Sequence, residues 1–415
     1  MAVAAELNRR NIFNNIATLF SGSVVAQGMT ALSILLTARQ LGVEAYGQYA
    51  ASMAITSVTA IVFALGLDVW LLREGGREAH RLPVTAGSVL AINSSIGLIW
   101  TVCVFWLAPL LNQETYPVLL VRLSMLLVLL DTLLGTTLTA FKAALRNRIP
   151  SILEASADII WFIGTLLLIR MGESRPEIYL TIRVVISATA LLIGLLLFRW
   201  LVGMGIERAN VGTALRSSAP FAASGLLAII TWRADVVIVG LTLGKIATGL
   251  YSPAVGLVNM AFLAPLAVYM VILPVLSNLF AHHPEQARRT AARTVALSLA
   301  LGAILAVAFA IGAPLAGILL GESYRGTEVI LRILSLVLFF KCGSLAMSAI
   351  LIATEQQVKR TYMLGIAAAA NILLNLLVVY TLGIRGVAGV YVLTEVILLA
   401  GYSWLVWRKV WQRRS

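Results

Sequence analysis

The sequence predicts an all-α polytopic membrane protein with twelve transmembrane helices in two six-helix lobes. Three observations carry that reading: a surplus of apolar residues, the length of the apolar runs, and basic residues confined to alternate loops. Of 415 residues, 60% are hydrophobic and 12% are charged, against about 25% charged in an average soluble domain. A soluble core cannot hide that surplus, because single cores stop growing at ~250–300 residues. Lipid satisfies no backbone hydrogen bonds, so a spanning chain is helical or a closed barrel. Barrel strands alternate over about ten residues, whereas these runs last about twenty, the length that crosses ~30 Å of hydrocarbon as helix.

In order, the runs fall near residues 15–37, 48–70, 86–108, 118–141, 152–171 and 180–202, then 219–241, 250–273, 291–313, 329–353, 362–381 and 387–407. Connections between them are short and leave no room for an inserted soluble domain. The longest passes through Arg199, Arg208 and Arg216, and divides the chain into halves at 1–208 and 209–415.

Orientation follows from the basic residues. Of 31 Lys and Arg, twenty fall in one set of loops and termini, including Arg9, Arg10, Arg146, Arg148, Arg288, Arg289, Lys409, Arg413 and Arg414; six fall in the other set, including Arg39, Arg175 and Lys245. Lys and Arg accumulate on the cytoplasmic side, so both termini are expected there. The net charge of +13 then reflects topology, and nucleic acid is not an expected partner.

An internal repeat supports the two halves. Leu41 to Tyr49 reads LGVEAYGQY, and Leu243 to Tyr251 reads LGKIATGLY. Leu, Gly, Ala, Gly and Tyr recur at an offset of 202 residues. Glycine suits a tight turn at the membrane surface, and tyrosine suits interfacial depth. Each half has an even number of spans, so the copies point the same way, as in transporter folds whose halves are related by an axis along the membrane normal. A binding site is then expected between the halves, near the midplane.

Ionisable residues within spans are costly and are functional candidates by default. Arg122, Arg183 and Arg332 lie near span ends, where their side chains are expected to snorkel to the headgroups. Asp68, Asp131, Asp158, Arg233, Asp235, Lys341 and Glu395 lie deeper, with two readings open: an ion pair inside one lobe, or substrate and proton handling. Asp131 and Lys341 hold similar positions in spans four and ten, at an offset of 210. Glu154 and Asp158, four apart, share a helical face. Asn14, Asn15, Ser21, Ser23 and Gln27 run along span one, Asn259 sits in span eight, and Asn371 and Asn375 share a face of span eleven. They read either as interhelical hydrogen bonds or as the lining of a hydrated cavity formed by spans one, two, seven and eight.

Other chemistries are weakly supported. Cys103 and Cys342 lie inside apolar runs and suggest neither a disulfide nor a metal site. The histidines His80, His282 and His283 fall in loops, so no metal centre is expected. No cleavable signal peptide is expected, because the first apolar stretch has full spanning length. Gly240 to Lys245 reads GLTLGK, one residue short of a phosphate loop and with Ile246 in place of the hydroxyl residue. No cofactor and no direct use of ATP are expected.

Four segments carry a family resemblance. TARQLGVEAYGQYA (Thr37 to Ala50), GLDVWLLRE (Gly66 to Glu74), RADVVIVG (Arg233 to Gly240) and NILLNLLVVYTLGIRGVAG (Asn371 to Gly389) resemble, in order, segments of bacterial polysaccharide transporters, the O-antigen-type lipid-linked oligosaccharide flippases. The resemblance spans the whole chain and extends to the wider multidrug/oligosaccharidyl-lipid/polysaccharide superfamily. It implies two six-helix lobes around a central cavity that opens alternately to the two sides of the inner membrane. The implied substrate is an undecaprenyl-diphosphate-linked oligosaccharide made on the cytoplasmic face; membrane lipids, a polysaccharide polymerase and other assembly proteins are the implied partners.

Arginine suits a diphosphate, since its planar fork pairs bidentately and keeps its charge. Arg73 and Arg233, with Arg39 at the outer rim, are the expected anion-binding set, with Gln27 and Asn259 as polar neighbours. Asp68, Asp235 and Glu395 are candidate proton carriers. The alternatives are a multidrug cation antiporter or a peptidoglycan-precursor flippase of the same superfamily. A membrane glycosyltransferase, polymerase or ligase would need a large outer loop, and the short ones holding Glu114, Glu173, Glu177, Glu322 and Glu328 offer little room. A non-transporting scaffold is the remaining class.

Overall fold

The computed structural model describes residues 9–205 and 208–408. Lys409, Arg413 and Arg414 lie outside them, as do the side chains of Arg9, Arg10, Arg208, Asn14, Asn15, Ser21 and Ser23.

The described residues form helices and no strands. In chain order they are α1 (Arg9–Thr59), α2 (Ile61–Ala64), α3 (Leu67–Arg77), α4 (Leu82–Leu107), α5 (Val118–Ala143), α6 (Arg148–Arg170), α7 (Pro176–Leu201), α8 (Arg208–Ala261), α9 (Leu263–His282), α10 (Pro284–Gly312), α11 (Leu315–Leu320), α12 (Thr327–Ala353) and α13 (Gln357–Val406). Three are too long to be one span, and each breaks at a glycine: Gly42 in α1 (φ 73°), Gly244 in α8 (φ 81°) and Gly383 in α13 (φ 56°). A Cβ disfavours that left-handed backbone, so glycine is required there. With α1, α8 and α13 each split at the kink, α2 and α3 continuing the second segment, α9 the eighth and α11 the ninth, the described helices make the twelve expected segments.

Gly42 and Gly244 are repeat equivalents, and the turn read from the two LG motifs is present at both. Span two, read as one continuous run over 48–70, is instead broken at Leu65 and Gly66, both left-handed. Its inner part continues as α3, whose buried Leu67, Trp70 and Leu71 pack in the core while Val69 and Leu72 stay exposed.

The chain divides into two compact units: residues 1–41 with 48–226, and residues 42–47 with 227–415. In the first, α5 packs against α4 and α7. Its core joins Leu67, Trp70, Leu82, Phe141 and Phe198, with Phe141 and Phe198 edge to face at 5.3 Å. In the second, α12 packs against α9, α10 and α13, around Ala349, Ile350, Leu398 and Tyr402. Each unit therefore wraps a central helix, α5 or α12. Apolar side chains on the outer helices, such as Leu297, Ile304, Ile311 and Leu377, remain exposed, as lipid-facing residues must.

Segment 42–47 of α1 packs on the repeat-equivalent part of α8 within the second unit. A Cβ on Gly47 would strike the carbonyl oxygen of Lys245, and a Cβ on Gly249 would strike that of Val43. Beside them Lys245 pairs with Glu44 at 3.0 Å. Lys245, the last residue of the GLTLGK sequence, thus ends in an ion pair at a helix kink.

Candidate functional site

Within each unit the central helix carries a charge in its body. In the second unit it is Lys341 of α12, 6% exposed. Its Nζ donates to the phenol oxygen of Tyr391 at 3.0 Å. Three rings surround the ammonium: Phe262 at 4.7 Å, Trp232 at 5.1 Å and Tyr391 at 5.5 Å from Nζ to centroid. Such rings attract a cation through their quadrupole. The carboxylates of Asp235 and Glu395 act electrostatically on the same ammonium. Both are buried. Glu395 accepts from the hydroxyl of Ser344 at 3.4 Å, and Asp235 accepts from Tyr251 at 2.7 Å and from the Val236 N–H at 2.8 Å.

The kinks build this cluster. Asp235 and Tyr251 lie sixteen residues apart on α8, which is ~24 Å along a straight helix. Their direct bond exists because Gly244 turns the second arm back beside the first. Gly383 in the same way places Tyr391 and Glu395 on the arm of α13 that follows its kink. Next to them, Asn371 donates to Thr394 at 2.9 Å and so joins the two arms of α13, while Asn375 donates to Asn371 at 3.1 Å within the first arm.

The first unit has a counterpart. Asp131 of α5 accepts from Ser187 of α7 at 2.7 Å. Four residues before Ser187, Arg183 pairs with Asp158 of α6 at 2.7 Å and lies over the Trp161 ring. Tyr49, the repeat equivalent of Tyr251, lies within electrostatic reach of Arg183 and Asp131. The central helices carry opposite charges at similar positions, Asp131 on α5 and Lys341 on α12, at an offset of 210. Further along α5, Asn93 donates to Thr136 at 2.9 Å and Thr136 donates to Asp68 at 2.6 Å. Lys142 pairs with Glu154 at 3.6 Å.

Several expectations change. Arg183 does not snorkel; it is mostly buried in an ion pair. Arg122 donates to the backbone carbonyl of Phe105 at 3.1 Å. Glu154 and Asp158 share a face but bind different partners. Tyr251, read as an interfacial anchor, is fully buried on Asp235.

Of the candidate site residues, the structure brings Asp235 and Glu395 together around Lys341. Asp68 is half-buried on the Thr136 hydroxyl. Gln27 and Arg39 are exposed on the first arm of α1, Arg73 is exposed on α3, Arg233 is exposed on α8, and Asn259 is half-buried on the second arm of α8. Arg39, Arg73 and Arg233 make no ion pair among the described residues. Sequence reasoning missed the aromatic enclosure of Lys341, since Trp232, Phe262 and Tyr391 come from three different helix segments.

Residues 12–280 match the family model described as polysaccharide biosynthesis protein. No curated protein sequence matches the chain. Among solved structures it is similar to an inward-facing multidrug-resistance MATE family transporter of the MOP superfamily, at 14% identity over 94% of this chain and 96% of that one, with a TM-score of 0.77. It is similar to the lipid II flippase MurJ in an inward closed conformation, at 17% identity over 94% and 87%, with a TM-score of 0.76. A MOP superfamily transporter from Pyrococcus furiosus is similar at 13% identity over 95% of each chain, with a TM-score of 0.67. At these identities the likeness is one of fold. The chain thus belongs to the polysaccharide biosynthesis protein family and is a multi-pass membrane protein with the fold of MOP superfamily transporters and flippases.

Proposed function

We propose that this chain is a flippase that carries undecaprenyl-diphosphate-linked oligosaccharides from the cytoplasmic to the outer leaflet of the bacterial inner membrane, by alternating access, for surface polysaccharide synthesis. The observation that carries the reading is Arg233, exposed in the body of a membrane-spanning helix without an ion pair among the described residues. Its charge acts on the buried Asp235, but the guanidinium itself is exposed, and at that depth it costs free energy unless it meets water or an anion. In a polysaccharide biosynthesis family the fitting anion is the diphosphate of a lipid-linked glycan.

Arg73 and Arg233 hold the diphosphate in this reading, Arg39 meets it at the outer rim, and Gln27 and Asn259 contact the sugar. The polyprenyl tail stays in lipid, so only the head group needs a polar path; without one, its desolvation would block crossing. Asp68, Asp235 and Glu395 are the candidate groups for coupling to the proton gradient, since moving one charge is worth about 2.3 kcal/mol per 100 mV. A polymerase and other assembly proteins would take up the product on the outer face. A multidrug cation antiporter fits less well, because an exposed arginine repels cations.

The deciding experiment is deletion of the gene in its host, followed by analysis of polyprenyl-linked glycans and surface polysaccharide. The flippase reading expects loss of surface polymer, with diphosphate-linked repeat units accumulating on the cytoplasmic face. Intact polymer together with new sensitivity to cationic drugs would replace it with efflux.

A further inference from the structure

Trp232 is exposed where a membrane protein has no general reason to expose tryptophan. Among the described residues the other largely exposed tryptophans are Trp106, Trp200, Trp404 and Trp407. All four lie at the ends of α4, α7 and α13, at the depth where tryptophan is favoured by the membrane interface. Trp232 is 53% exposed in the body of α8, well before the Gly244 kink. The next residue, Arg233, is exposed as well, and a guanidinium avoids hydrocarbon, so this stretch of α8 borders more than lipid.

The ring is also held in place. Lys341 Nζ sits 5.1 Å from its centroid. The other two rings around Lys341, Phe262 and Tyr391, are buried. Trp232 is therefore the wall of that enclosure with surface left to offer. A cation behind an aromatic ring draws π density toward itself, which leaves the ring a poorer host for a second cation. A sugar C–H carries only partial positive charge, so the same bias weakens its contact with the ring much less than it weakens that of a full cation. The ring thus disfavours an organic cation and suits the C–H face of a sugar.

We propose that Trp232 is the stacking surface for the first sugar of the lipid-linked glycan, the one bonded to the diphosphate that Arg233 holds. Consecutive residues of a helix point about 100° apart, so Trp232 and Arg233 reach different parts of one head group, the guanidinium the diphosphate and the ring the sugar bonded to it. This assignment rests on the flippase reading and gives it a specificity residue, one that makes binding depend on a sugar being attached to the diphosphate.

The test uses the full-length protein in lipid nanodiscs and two probes, undecaprenyl diphosphate and undecaprenyl diphosphate bearing one N-acetylhexosamine. Wild type is expected to bind the sugar-bearing lipid more tightly. Trp232→Ala should weaken binding of the sugar-bearing lipid by about tenfold and leave the sugar-free lipid within about twofold, which also shows that the variant is folded. Trp232→Phe should retain most of the preference, and Arg233→Ala should weaken both lipids. Equal loss on both lipids in Trp232→Ala, no loss on either, or a wild type that does not prefer the sugar-bearing lipid overturns the stacking role and leaves the flippase reading standing. A wild type that binds neither lipid overturns both.

Discussion

Gly47 and Gly249 make one contact twice. Each lies over the other copy's backbone, Gly47 over the Lys245 carbonyl and Gly249 over the Val43 carbonyl, and the two carbonyls are themselves related by the same repeat offset as the glycines. A backbone oxygen cannot rotate away as a side chain can. Gly47→Val and Gly249→Val should therefore each destabilise the protein by about 1–3 kcal/mol, the usual range for overpacking. Thermal unfolding in detergent checks this; variants that melt with wild type would mean the close approach is not held.

The ion pairs should not weigh alike. Glu44–Lys245 has a largely exposed carboxylate, and exposed pairs are worth about 0–1 kcal/mol. Arg183–Asp158 is mostly buried, and removing one partner of a buried pair costs about 3–5 kcal/mol. Glu44→Gln should leave stability almost unchanged, while Asp158→Ala should lower it strongly. The double change Asp158→Leu with Arg183→Met should recover much of the loss, since no orphaned charge remains. Melting curves of the four proteins decide it, and equal effects of the two single changes would contradict the burial argument.

Tyr251→Phe removes one hydroxyl and leaves a buried Asp235 oxygen without its 2.7 Å donor. Unsatisfied buried groups cost about 1–3 kcal/mol, more when charged. A drop in melting temperature is expected without loss of membrane insertion. An unchanged melt would show that Asp235 finds another donor.

For function, Arg73→Ala and Arg233→Ala should each abolish or strongly reduce glycan flipping at normal protein levels. Lys in either position should restore part of it, keeping charge while losing bidentate geometry. Measured surface polysaccharide in a complemented deletion strain gives the readout, and wild-type polymer from an Ala variant removes that arginine from the site.

Coupling has its own test. If protons drive turnover through Asp68, Asp235 or Glu395, collapsing the proton gradient should stop transport into vesicles, and Asn or Gln at the responsible position should abolish the dependence. Transport that ignores the gradient excludes this role for all three.

Much of this architecture was legible in the chain itself. The apolar runs marked the segments, because hydrocarbon thickness sets a helix length that composition records. Gly42 and Gly244 stand in a repeated motif, and their left-handed backbone explains why glycine recurs. The break at Leu65–Gly66 was not legible, because Leu65 carries no breaker signal. Asp235 and Glu395 were singled out by the rarity of buried carboxylates, whereas Trp232 and Tyr391 were not, since aromatic residues are ordinary in membrane helices.

The sequence by itself determined the solvent of this protein, its helical class, the kinked repeat and the short list of charges that had to find partners. The tertiary structure alone decided those partners: Lys341 with Tyr391 inside three rings, Arg183 with Asp158, Tyr251 with Asp235. The reason is physical. Helix length and burial are local properties written at a period of 3.6 residues, but which side chains meet depends on the depth and rotation of several helices at once, and those are fixed only when all of them pack.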